Sequence, residues 1–155
     1  MLGGIQMLTP QIVANTVLML AFKENIPVSP MKLQKLIYII YKTYLKKTGN
    51  KLFTESFSKW KYGPVVESVY YEFGCFGANP INKFARDAQG NVQVVDLGKI
   101  NCLSETIREV WDKYKGYHAT VLSSLTHSEN SAWSKAVEES RNTLKDEDIK
   151  NEEDF

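Results

Sequence analysis

From Ser29 to Gly49 the chain spells out one strongly patterned helix. Leu33, Leu36, Ile37, Ile40, Tyr41, Tyr44 and Leu45 recur at steps of three and four, which places a broad apolar face along one side of an α-helix and requires that face to be buried. Ser29-Pro30 opens the helix. The serine oxygen accepts from the first free N–H groups, and a proline at the first helical position gives up no hydrogen bond. Lys46 and Lys47 oppose the negative end of the helix dipole, and Gly49 is free to take the left-handed conformation that ends a helix.

Thr9-Pro10 is a second start of the same kind, for a helix over about 10–24. Its residues Ile12, Val13, Val17, Leu18, Met19, Leu20 and Phe22 are apolar on most sides, which predicts a central place in a helical bundle. From Phe57 to Tyr62 the period changes to two: Ser58, Trp60 and Tyr62 alternate with Lys59 and Lys61, as in a short half-buried strand. Gly63-Pro64 is expected to break that strand and begin a helix whose stripe is Val65, Val66, Val69, Tyr70 and Phe73. Residues 74–102 are rich in Gly, Asn and Pro, and Gly90-Asn91 predicts a hairpin turn leading into Val92–Leu97. Helical spacing returns in Leu103, Ile107, Val110, Trp111 and Tyr114 after the candidate cap Ser104, then over Ala119–Leu125 beyond Gly116. A last amphipathic stretch starts near Ser131, with Trp133, Ala136 and Val137 inward. The expected fold is mainly α, a compact helical domain with a small β-hairpin or short β-sheet element. Its expected parts are an N-terminal extension (1–8), a helical domain (9–137) and an acidic segment (138–155), partly helical or mobile.

Charge narrows the functional classes. The whole chain of 155 residues carries a formal +1, so any affinity for nucleic acid has to come from a local patch. The distribution is uneven: residues 1–71 hold nine Lys against three Glu, and residues 128–155 hold nine acidic groups against four basic ones. Lys32, Lys35, Lys42, Lys46, Lys47 and Lys51 are the best nucleic-acid signal, although a solvated helix face is the simpler account of them and an acidic protein partner would suit them as well as phosphate. Arginine, the usual reader of base edges, is absent from this half. The late acidic run has two readings, a solubilising tail or a mimic of nucleic acid that covers a basic groove.

Catalytic and metal chemistry find little support. Cys75 and Cys102 have no paired spacing, which fits neither a disulfide framework nor a zinc site and suits a reducing cytoplasm. His118 and His127 are the two histidines. No nucleophile and orienting group stand beside His127 in sequence, so a capping or buried hydrogen-bonding role is expected for it. Gly74-Cys75-Phe76-Gly77 reads as a helix end and a turn, since basic residues are missing around it. MLGGIQM lacks the charged region and long apolar core of a signal peptide, and no apolar run reaches the roughly 18 residues needed to span a bilayer. A cytoplasmic protein without cofactor or metal is the expectation.

Three segments, in order, carry a resemblance: MKLQKLIYIIY from Met31, WKYGPVVESVYYEF from Trp60 and LTHSENSAW from Leu125. Together they resemble the Panacea domain family of bacterial and phage-associated antitoxins, over about Ile12–Val137. The resemblance implies an antitoxin that binds a cognate protein toxin, encoded by the adjacent gene, and neutralises it. It implies no catalytic residue. Two other classes stay open beside it: an adaptor that hands a bound protein to a cytoplasmic protease, and a regulator that binds nucleic acid. Membrane association is not expected.

The motif residues are Leu33, Gln34, Lys35 and Leu36; Trp60, Tyr62, Gly63 and Pro64; and Leu125, Thr126, His127 and Trp133. Their expected role is mainly structural, with Trp60 and Tyr62 anchoring a core beside a Gly-Pro corner. Partner contact is expected from the lysine side of the second helix and the loop from Phe76 to Asn101, through Lys35, Lys42, Lys46, Phe76 and Asn79.

Overall fold

The computed structural model describes residues 8–155; the expected extension at 1–8 lies outside the described residues save for Leu8. Helix α1 (Pro10–Glu24) and helix α2 (Pro30–Thr48) start at the two expected caps. Thr9 accepts from the Ile12 N–H and Ser29 from the Lys32 N–H, and Gly49 closes α2 at φ 73°. Strand β1 (Ser58–Trp60) pairs antiparallel with β2 (Gly63–Val65), in the register Ser58 to Val65 and Trp60 to Gly63. Helices α3 (Glu67–Phe73), α4 (Cys102–Tyr114), α5 (Ala119–Thr126), α6 (Ala132–Glu138) and α7 (Asp146–Asn151) follow. The fold is mainly helical with one small sheet, as the sequence predicts.

Helix α2 rather than α1 is the centre. It packs against α1, α3, α4, α5, α7 and β2, and it buries Gln34, Tyr38 and Lys35 besides the apolar stripe. A helix covered from so many directions keeps polar side chains inside only if each finds a partner, and those partners build the site described below. Tyr41 and Phe53, with ring centroids 5.0 Å apart, extend the core toward Phe57 and Tyr38.

Four local expectations are corrected. Gly63-Pro64 does not begin a helix. It is the second strand of the hairpin, because Gly63 adopts φ 114°, which no helix allows, and α3 starts only at Glu67. No strand forms over Val92–Leu97, although Gly90 does take a left-handed turn. There the backbone groups bond to α1 instead of to a ladder: Asn15 bridges Ala85 and the Gln93 carbonyl, and Thr16 accepts from the Val95 N–H at 2.9 Å. The cap of α4 is Asn101, and Ser104 returns the bond from the third helical position. Val137 points outward, 43% exposed, while Ala132 and Ala136 fill the inward face of α6.

The lysine side of α2 and the acidic end meet each other. Glu152, 4% exposed, accepts from Tyr38 Oη at 3.0 Å and from the Ala132 N–H at 2.9 Å through Oε1. Its Oε2 has no aligned hydrogen-bond donor among the described residues and lies 2.9 Å from Lys42 Nζ as an ion pair. Lys46 reaches Asp154 and Lys51 reaches Asp146. The expected solvated lysine face is therefore corrected: Lys32, Lys35 and Lys42 are buried, and a phosphate-binding row does not form. The acidic segment is folded onto α2 through α7 rather than projecting as a free tail.

Candidate functional site

The three sequence motifs converge on the β1–β2 hairpin. From α2, Gln34 Nε2 donates to the Val66 carbonyl at 3.0 Å and its Oε1 accepts from the Val66 N–H at 2.9 Å. From the next residue, Lys35 Nζ donates to the Pro64 carbonyl at 2.9 Å. From α5, Ser123 Oγ donates to the Tyr62 carbonyl at 2.6 Å. From α6, Trp133 Nε1 donates to the Trp60 carbonyl at 2.7 Å. A two-stranded ribbon is marginal on its own, so side chains of three helices supply the partners that its short ladder lacks.

Gly63 is where the three motifs touch. An added Cβ there would lie 3.1 Å from Lys35 Nζ and 3.1 Å from Thr126 Oγ1, at φ 114°, a backbone region that side chains avoid. Thr126 turns its hydroxyl back to the Leu122 and Ser123 carbonyls. His127 caps the end of α5, with Nδ1 on the Ser123 carbonyl and its ring 5.1 Å from that of Trp133, edge to face. Leu33 and Leu36 are buried and Leu125 is half-buried against the same core.

Trp60 and Tyr62 do not anchor the core as expected. Tyr62 is 55% exposed, because it occupies the two-residue turn between the strands, where side chains project into solvent. Trp60 is half-buried and packs edge to face on Tyr70 at 4.7 Å. These rings, with Met31 and Val65, form a groove of about 320 Å³ whose lining includes Lys35 and Lys61 but no carboxylate. Tyr71, 74% exposed, stands beside Tyr70. Lys35 is 1% exposed, and Pro64 O is its one hydrogen-bond acceptor among the described residues. Burial pushes its ammonium down to about 7.

The residues expected to meet a partner are scattered. Lys35 is in the groove wall, and Lys42 is enclosed beneath Glu152, where burial lowers its pKa. Lys46 is half-exposed and paired with Asp154. Phe76 lies half-buried at the end of a 3₁₀ turn (Gly74–Phe76), and Asn79 is exposed three residues on, its N–H donating to the Phe76 carbonyl at 3.0 Å. Exposed Tyr70 and Tyr71 were missed by periodicity, since both fall within the α3 stripe and its neighbour. Among the described residues no three His, Cys, Asp or Glu side chains converge on a metal-sized space, and no helix is long and apolar enough to cross a membrane.

The sequence profile of the family described as "Antitoxin SocA-like, Panacea domain" matches residues 33–134, well over half of the chain. That span runs from the first motif residue on α2 to just past Trp133. The antitoxin SocA of Caulobacter vibrioides is 42% identical over 67 residues, which is 43% of this chain and 34% of that protein. The chain thus matches about a third of the length of this curated relative. No solved structure matches it.

Proposed function

The chain belongs to the SocA-like antitoxin family defined by the Panacea domain, and from that premise we propose that it neutralises a cognate protein toxin by binding it one to one. The observation that carries this reading is the aromatic groove lined by the first two family motifs, on the hairpin against which the third motif also packs. A folded domain gains nothing for its own core by exposing Tyr62, Tyr70 and Tyr71 together. Tyr and Trp are the side chains that interfaces favour, because each brings a large area at low entropic cost and keeps a polar handle.

The site asks for no turnover. A rigid hairpin held by three helices presents a preformed surface, and preformed surfaces bind without losing much freedom. Blocking a toxin sterically needs only that the complex outlast the toxin's encounters with its target. The toxin is read as the product of the adjacent gene.

Co-expression tests this. The adjacent gene is induced in a bacterium with and without this chain, and growth and co-purification are followed together. Restored growth with a stable equimolar complex is the expected result. Restored growth with disappearance of the toxin protein would overturn direct neutralisation in favour of delivery to a protease, and an adjacent product that harms nothing would overturn the paired toxin.

A further inference from the structure

Several grooves on the surface carry lysines, and they differ in how those lysines are paired. Beside α2 and α4, Lys42, Lys46 and Lys47 line one groove and each already faces an acid of this chain, Glu152, Asp154 and Glu109, while Lys113 on the same wall donates to the Phe155 carbonyl. Those charges are spent within the molecule. In the groove at the hairpin the balance is different. Lys35 and Lys61 line it, no carboxylate does, and neither forms an ion pair among the described residues.

We propose that the hairpin groove takes a carboxylate-bearing apolar segment of the partner protein, with its apolar side chain among Trp60, Tyr62 and Tyr70 and its carboxylate paired with the Lys35 ammonium. This rests on the reading of the chain as a protein-binding antitoxin, and it adds the chemistry of the bound segment.

Three observations carry it. An ammonium has three N–H donors, and Lys35, 1% exposed, gives one to Pro64 O; buried charge without a counter-ion is costly, and a carboxylate supplies both charge and acceptors. Lys61, on the wall of the same groove, likewise forms no ion pair among the described residues, and its ammonium stands over the Tyr62 ring. Of the rings along the groove, Tyr62 and Tyr70 are exposed and Trp60 is half-buried. The lowered pKa of Lys35, near 7, agrees with a cation that lacks its partner in the free protein.

The test uses two dipeptides of equal shape, N-acetyl-aspartyl-phenylalanine amide and its asparaginyl twin, titrated into the ¹⁵N-labelled chain below neutral pH. The aspartyl peptide is expected to shift the amides of Tyr62, Gly63 and Gly74 and to bind about tenfold more tightly than the twin, the usual gain of a charge-assisted hydrogen bond over a neutral one. Lys35→Met should abolish that difference. Should Lys35→Met not fold, the surface variants Tyr62→Ala and Lys61→Ala carry the test, because each should weaken the aspartyl peptide at least about threefold. Equal affinities for the twins, shifts confined to other surfaces, or unchanged binding by both surface variants would overturn the proposal. No toxin is present in this titration. A chain that prefers the aspartyl peptide but protects no cell removes the antitoxin reading alone, and a chain that protects cells without that preference removes this inference alone.

Discussion

The side-chain amide of Gln34 and the backbone of Val66 form a closed pair of hydrogen bonds, 3.0 and 2.9 Å long, across the seam between α2 and the hairpin. Val66 is the N-cap of α3 and has no side-chain bond of its own to offer. Only a planar amide can donate to its carbonyl and accept from its N–H together. Its carbonyl also receives the Tyr70 N–H, so losing Gln34 orphans the N–H alone.

Gln34→Met, of similar volume, should therefore lower the unfolding free energy by about 1–3 kcal/mol, the cost of a buried unsatisfied donor. Gln34→Glu should be no better, because a carboxylate there would face the Val66 carbonyl. Urea unfolding midpoints check both.

At Gly63, substitution meets strain and space together. Gly63→Ala is expected to cost at least about 1–3 kcal/mol from backbone strain, with a further loss from the contact at 3.1 Å with Lys35 Nζ. Gly49→Ala is the control: it is left-handed at φ 73° but nothing lies within 4 Å, so only the left-handed penalty of about 1–2 kcal/mol remains. Thermal unfolding of the two variants should rank them in that order.

Glu152 ties the last residues to the core. Glu152→Ala should destabilise by about 3–5 kcal/mol, since it leaves the Lys42 ammonium buried without its counter-ion. The double variant Lys42→Met with Glu152→Leu should recover much of the loss, because it removes both charges. A double-mutant cycle in urea measures this coupling, and additive losses would contradict it.

Lys35 makes stability depend on pH in a stated direction. The unfolded chain keeps this proton up to about its ordinary 10.5, and the folded chain only to about 7. Between those values the unfolded state holds more protons, so the contribution of Lys35 to stability rises with pH, by up to about 1.4 kcal/mol per unit. It is lowest below pH 7, where the charged form is buried at full cost. Lys35→Met should remove the slope, so native and variant stabilities should converge or cross as pH rises from 7 toward 10, while the other buried lysines cancel in the difference. Parallel curves would contradict the assignment.

Helix α2 was legible from its sequence because cap, stripe and terminal glycine all point the same way. The hairpin was misplaced by one element for a physical reason: Gly-Pro serves a helix start and a strand equally well, and only the close approach of Lys35 and Thr126 decides between them at Gly63. The lysines of α2 misled because a charged residue on a helix is usually solvated, whereas here Glu152, from more than a hundred residues away, encloses one of them. Such pairings leave no local signature. The three motifs were each visible in the chain, but their meeting at one hairpin, and the exposure of Tyr62 and Tyr70 on the rim of the groove beside it, belong to tertiary structure.

Calorimetric titration of the adjacent gene's product with the purified chain tests the central claim most directly, with Tyr62→Ala alongside. A saturating one-to-one complex that Tyr62→Ala weakens at least about tenfold, while its unfolding midpoint stays native, is the result this account predicts. No heat of binding, or binding that Tyr62→Ala leaves unchanged, would contradict a toxin held at the hairpin groove.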